Sequence, residues 1–295
     1  MKRSAGNPRA NRAASVADVE AVLRDWIGLD VTTIGTAAVE RAMRTRMTAA
    51  GMADVAAYAA RVRSDAGERD LLVEEVVVGE SWFFRDRQVF EFVADFAVTR
   101  AGLPGRGPVR ILCAPCAGGE EPYSVAMALL DAGLTPAQFT IDAVDVSRVA
   151  LARAARGRYS ANAFRNADRS FCDRWFTADG SAAVLADTVR NCVAFSQANV
   201  VDESFTTGRA AYDVIFCRNL LIYLTAQARG RVEAALDRLL TRDGVVVLGA
   251  AEPPILKGDW LPAGATAVFA MRRGVRPIAA PATPTARTAS RRRPP

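Results

Sequence analysis

The 295-residue chain contains no histidine. That absence removes the commonest general acid or base, every Ser–His or Cys–His nucleophile arrangement and most catalytic zinc sites. No run approaches the roughly 20 apolar residues that a membrane span needs. The opening stretch, MKRSAGNPRANRAAS, lacks the apolar core of a signal peptide, so a cytoplasmic location is expected. Cysteine is sparse as well: five residues, an odd number scattered through apolar segments, indicate reduced thiols rather than a disulfide framework. Cys113 and Cys116 share the spacing C-x-x-C, but a Gly-Gly-Glu-Glu turn separates them from the next helix. Zinc would need two further ligands. Neither redox nor metal chemistry is expected here.

Acidic residues are missing from both ends, and this makes the net charge of +6 misleading. Residues 1–15 carry four basic residues and residues 272–295 carry seven arginines, neither stretch with an acid. The tails therefore supply +11 and leave the body near −5. That is a poor electrostatic footprint for an enzyme of nucleic acids, so no nucleic-acid partner is expected. An apolar fraction of 51% excludes wholesale disorder, and the length suits one large domain or two smaller ones.

Apolar residues recur at helical spacing from Val16 to about Val78, as in Val19, Val22, Leu23 and Trp26, then Val39, Ala42, Met43 and Met47. Gly28, Gly51 and Gly67 punctuate the pattern. The predicted organisation is a disordered basic tail over 1–15, an N-terminal helical domain over 16–86, and a connecting helix with linker over 87–108. Strands and helices then alternate over 109–273, with an aromatic-studded insertion near 157–190, and a Pro/Arg-rich tail closes the chain over 274–295. Predicted strands are Val109–Ala114, Phe139–Val146, Val193–Gln197, Tyr212–Cys217 and Val245–Gly249, with Ala267–Arg272 as a last edge strand. Such an order implies an α/β fold with a mostly parallel sheet covered by helices.

The stretch Leu112–Ala126, LCAPCAGGEEPYSVA, reads as a strand end, a small-residue turn and a helix opening on Glu120 and Glu121. A phosphate-binding loop keeps that helix N-terminus free for an anion. Here two carboxylates occupy it, which suits a cationic ligand such as S-adenosylmethionine; equally, the pair could simply complement the helix dipole. Three further segments fall at predicted carboxyl ends of strands, the ligand face of such a sheet. Asp145 is placed to accept hydrogen bonds from ribose hydroxyls, though an Asp–Ser pair also caps helices. Asn199, followed by Val200, could address an adenine edge. Arg218 and Asn219 directly follow an apolar strand and are out of place in a core. ESWFFRD (80–86) adds Phe83 or Phe84 as a staple between helical bundle and sheet, and Arg85, whose planar fork suits a carboxylate.

ESWFFRD, CAGGEEPYSVA, DAVDVSRVALARAARGRYS and YDVIFCRNLLIYL, in this order, resemble the CheR-type chemotaxis-receptor glutamate O-methyltransferases over about residues 16–272. The resemblance implies a small all-helical domain before a Rossmann-like S-adenosylmethionine-dependent methyltransferase domain, with methyl-ester formation on receptor glutamates. It implies S-adenosylmethionine as cofactor, S-adenosylhomocysteine as product, and no metal. Carried over residue by residue, it implies cofactor contacts at Ser81, Arg85, Glu120, Asp145, Asn199, Val200, Arg218 and Asn219. Arg85 and Tyr223 match the positions that hold the substrate carboxylate. The implied partner is the cytoplasmic region of methyl-accepting chemoreceptors, with the enzyme a monomer that reaches the membrane only through the receptor. Three departures stand out: Gly79 where the family often has Asn, with Ser81 for its Thr; Pro115 and Cys116 in the turn; and Gly249-Ala-Ala-Glu252 for Gly-His-Ser-Glu. The last, with ESWFFRD, looks more like the branch of alternative chemosensory systems, which often carries tetratricopeptide repeats; the Pro-rich tail would suit a linker to them. A non-catalytic S-adenosylmethionine-binding signalling scaffold and a methyltransferase with another acceptor are the competing readings.

Overall fold

The computed structural model describes residues 8–165 and 168–274. Residues 1–7 and 275–295, just under half of the first expected tail and all but one residue of the second, lie outside the described residues. The helical region comprises α1 (Pro8–Ile27), α2 (Val31–Ile34), α3 (Thr36–Ala49), α4 (Val55–Ser64) and α5 (Ala66–Val76). Helix α1 takes in residues 8–15, which the sequence reading placed in the tail. Pro8 suits a first helical position and the Ala/Arg-rich run behind it favours helix. Asp30, Asp54 and Asp65 cap α2, α4 and α5 by accepting backbone N–H groups with their side chains. These helices bury their apolar stripes against one another around Val19, Leu23, Val39, Met43, Tyr58, Val62 and Leu72. Glu68 is buried in that core at 2% exposure, and Arg46 (3.0 Å) and the Tyr58 hydroxyl (3.2 Å) donate to it.

Helix α6 (Arg87–Ala101) leads into β1 (Val109–Cys113), α7 (Glu120–Asp131), β2 (Phe139–Asp145) and α8 (Arg148–Arg156). The insertion follows: β3 (Arg158–Ser160), α9 (Ser170–Trp175), β4 (Phe176–Asp179), β5 (Ala182–Leu185) and α10 (Asp187–Arg190). The chain then returns through β6 (Val193–Gln197), β7 (Tyr212–Cys217), α11 (Ala226–Leu239), β8 (Leu240–Leu248), β9 (Trp260–Pro262) and β10 (Ala270–Arg273). The main sheet has the order β6-β2-β1-β7-β8-β10-β9, parallel from β6 to β8 and antiparallel at its last two strands. Strand order reverses between β1 and β7, so the loops after those two strands diverge and leave a crevice at their carboxyl ends.

Three expectations are corrected. The last strand, β10, pairs with β8 and is covered by β9, which forms the edge instead. Strand β8 begins at Leu240, five residues before the apolar run, because Thr241, Arg242 and Asp243 hide its start. The insertion is a small antiparallel sheet, β3-β5-β4. Phe83 is fully buried among its rings, 4.8 Å from Tyr159, 5.2 Å from Phe164 and 5.0 Å from Phe176 between centroids. Phe84 packs on Phe90 of α6 and Phe171 of α9. The two rings therefore staple the insertion to the sheet core and leave the helical region to other contacts.

Candidate functional site

The turn after β1 is held by its neighbours before any ligand is considered. Ala114 N–H donates to Phe216 O and Cys116 N–H to Val144 O, each at 2.9 Å, which ties the turn to the strands on both sides. Ala117 N–H donates to Asp145 Oδ2 at 2.8 Å. At Gly118 a Cβ would lie 2.0 Å from the Arg153 guanidinium, so a larger residue would displace that arginine from its place over the turn. Gly119 combines a φ of +90° with a Cβ position 2.9 Å from that of Ala154. The turn can thus press flat against α8. Cys113 and Cys116 lie buried beneath it, and burial pushes both thiols up, away from the reactive thiolate.

Glu120 is 2% exposed, and Arg153 Nη2 donates to its Oε1 at 2.8 Å. Burial raises its carboxyl above the ordinary value, with the Arg153 charge opposing. Glu121 is raised for the same reason, with Arg218 and then Arg85 opposing. Asp145 accepts from Ala117 and Ser147 N–H groups, and burial raises it too. One oxygen on each glutamate, Glu120 Oε2 and Glu121 Oε1, is buried with no hydrogen-bond partner among the described residues. Such oxygens cost free energy in a ligand-free protein.

Three adjoining spaces surround this turn. A largely apolar cavity of about 300 Å³ separates the helical region from the sheet; Ile27, Leu29, Ile34 and Val76–Gly79 line one side, and Asp145, Asn199, Val200, Asn219 and Tyr223 the other. A narrower cleft of about 60 Å³ is lined by Ser81, Trp82, Arg85, Glu121, Arg218 and Asn219. A third, of about 410 Å³, runs under the insertion past Ser81, Glu120, Arg153, Tyr159 and Arg165. Pro115 and Ala117 border the first two, Ser81 the last two, and Val78 all three. Arg85 and Tyr223 therefore do not share one space; Asn219 stands in both of theirs.

The structure separates residues that the sequence treated alike. Arg218 is buried, and Nη1 donates to Glu121 Oε2 (3.0 Å) and Arg85 O (3.2 Å) while Nη2 donates to Asp86. It braces the ESWFFRD loop against α7 and presents little beyond Nε to a ligand. Asn199 also has its amide engaged: Nδ2 donates to Trp26 O at 2.6 Å and Oδ1 accepts from Val201 N–H at 3.0 Å. Asn219 holds a left-handed φ of +58°, which Asn tolerates better than most residues. Arg85 lies over the Trp82 ring, 4.3 Å from its centroid.

Sequence reasoning missed three residues that build the site. Arg153 pairs with Glu120. Glu74 of α5 accepts from Ser147 and from the first amides of α8. Glu252, fully buried, accepts from Asn219, Leu221 and Gly249 N–H groups at 2.7–2.8 Å and so fixes the loop after β7. Arg153 and Glu252 fall inside segments the sequence singled out, but each of the three reaches a partner more than 30 residues away, which no local pattern marks.

The donor set fits a ligand with cationic groups and an apolar body. Carboxylate oxygens stand uncommitted at one end, apolar walls from Val144, Val200 and Leu220 at the other, and the α7 N-terminus is occupied by its own glutamates. S-adenosylmethionine has that distribution of charge. Comparison with known proteins agrees. The family model described as CheR methyltransferase, SAM binding domain, matches residues 79–259. The probable biofilm formation methyltransferase WspC of Pseudomonas aeruginosa is 42% identical over 256 residues, covering 86% of this chain and 61% of that protein. The Pseudomonas putida WspC is 43% identical, with 79% of this chain and 55% of that protein covered. Chemotaxis protein methyltransferase 2 of Vibrio cholerae is 34% identical, with 65% of this chain and 68% of that protein covered. The chain thus spans little more than half the length of the two WspC relatives. Among the described residues no helix is long and apolar enough to cross a membrane.

Proposed function

The chain belongs to the CheR methyltransferase family, and on that premise we propose that it transfers a methyl group from S-adenosylmethionine to glutamate side chains in the cytoplasmic region of a chemoreceptor. The product is a methyl ester, the chemistry of chemosensory adaptation. One observation carries the reading: Glu121, with a buried unpartnered oxygen, lines the cleft that also holds Arg85, and Glu120, with another such oxygen, lines the space adjoining it. One face thus suits a cationic donor and its neighbour an anionic acceptor. The biofilm names of the two WspC relatives support a place in the alternative chemosensory branch.

When bound, S-adenosylmethionine supplies a methyl group already activated on a sulfonium. Glu120 and Glu121 would hold its cationic end, Asp145 its ribose, and the apolar wall around Val200 its base. Arg85 would take one oxygen of the incoming carboxylate and leave the other free. A carboxylate is already ionised at neutral pH, so the chain need supply no base, in keeping with the absence of histidine. Its contribution is proximity and orientation, together with the exclusion of water by the helical region.

The test is transfer from methyl-labelled cofactor to a chemoreceptor cytoplasmic fragment, followed by alkali. Base-labile, volatile label on the receptor is the expected result. Cofactor binding without transfer to any of several receptors would favour the signalling scaffold, and stable label on another acceptor would replace the substrate.

A further inference from the structure

Glu74 belongs to the helical region, yet its carboxylate bonds to the start of helix α8, which flanks the sheet. Ser147, the N-cap of α8, accepts from Ala150 N–H and donates its own hydroxyl to Glu74 Oε2. Glu74 Oε1 accepts from Arg148 N–H at 2.7 Å and Val149 N–H at 3.3 Å. The first three amides of α8 are thereby satisfied, two of them by a side chain from another helix. A carboxylate at this end also complements the helix dipole.

Helix α8 and its N-cap touch both acidic walls of the proposed cofactor site. At its start, Ser147 N–H donates to Asp145 Oδ1 at 2.9 Å. Further along, Arg153 pairs with Glu120 at 2.8 Å and occupies the space that Gly118 leaves open. Glu74 itself also lines the apolar cavity. We propose that Glu74 is a positioning residue for cofactor binding: by closing the α8 N-terminus it sets Asp145 and Arg153 together, and makes the helical region part of the cofactor site. The proposal rests on the reading of that site as one for S-adenosylmethionine.

Two measurements test it on the full chain. Without ligand, hydrogen exchange at Arg148 and Val149 reports the cap directly; Glu74→Ala should expose these amides while the α1–α4 core stays protected. With S-adenosylhomocysteine, calorimetry should show affinity about tenfold to a hundredfold weaker, the scale of hydrogen bonds to a charged group. In turnover the loss should fall on the cofactor KM, with kcat at saturation nearly unchanged. Glu74→Gln can still accept from the two amides through one oxygen but loses the charge and the Ser147 bond, so an intermediate loss is expected; this variant serves if the alanine one does not fold. Asp70→Ala removes only the exposed Arg148–Asp70 pair of the same seam and should match wild type. Equal affinity in wild type and a folded Glu74→Ala overturns the positioning role. A wild-type chain that binds no S-adenosylhomocysteine overturns the reading of the site, and the proposal with it.

Discussion

Arg218 and Arg85 both act on Glu121, the first through an ion pair at 3.0 Å and the second through longer-range attraction. Their surroundings give them opposite roles. Arg218 is 5% exposed and tied to Glu121 and Asp86, so removing it would strand buried charge at a cost of about 3–5 kcal/mol. Arg85 rests on Trp82, a contact worth about 0.5–1 kcal/mol at a partly exposed site. Arg85→Ala should therefore leave thermal unfolding nearly unchanged while kcat/KM for the receptor falls about a hundredfold, or about 2.7 kcal/mol of transition-state stabilisation. Arg85→Lys keeps the charge but loses the fork, and partial activity is expected. Unchanged steady-state kinetics in Arg85→Ala would remove it from the acceptor site. Sequence marked both arginines because a guanidinium beside an apolar strand or aromatic run has no place in a plain core. It could not sort them, since Asp86 and Glu121 reach Arg218 across more than 90 residues.

At the scale of elements, the turn after β1 and the end of β2 gather three carboxylates whose burial raises them above the ordinary 4.5 of Glu and 3.8 of Asp. A cationic ligand prefers them ionised. Its affinity should fall as pH drops through the raised values, in a window that lies above pH 4.5, where an exposed glutamate is still charged. Within that window, binding should release protons, which calorimetry in two buffers of unlike ionisation enthalpy measures. For the ligand-free protein the sign reverses. A raised native value means that the native state binds more protons than the unfolded one, so these groups contribute least to stability at neutral pH and more on mild acidification. Affinity that falls only below the ordinary glutamate range would take the carboxylates out of the ligand site. The strands that carry these residues were legible because β1, β2 and β7 are short apolar runs ended by turn residues. The strands of the insertion were not: they are three or four residues long and mostly exposed or half-buried, so no alternation marks them.

At the scale of the molecule, the cavity exists only because helical region and sheet meet, and sequence offered no view of that seam. It is held by main chain as much as by side chains. Asp30 N–H donates to Tyr223 O and Thr225 N–H to Gly28 O, both at 2.8 Å, while Leu29 forms an isolated bridge with Leu224. Gly28 sits at the centre with a φ of +70°, and a Cβ there would lie 2.3 Å from the Ala228 Cβ and 3.2 Å from Val201. Sequence reading took this glycine as helix punctuation; its tighter constraint is the approach of α11. Gly28→Ala should cost about 1–2 kcal/mol in backbone strain and about 1–3 kcal/mol in overpacking, read as a lower urea midpoint. Ile27 and Leu29, its neighbours, line the cavity, so S-adenosylhomocysteine affinity should fall with stability. Gly51→Ala provides the contrast, with a φ of +65° but nothing within 4 Å of the added carbon. It should show the strain alone, with affinity intact. If Gly28→Ala lost stability yet bound the ligand as tightly as wild type, the helical region would be a neighbour of the cofactor and not a wall of its site.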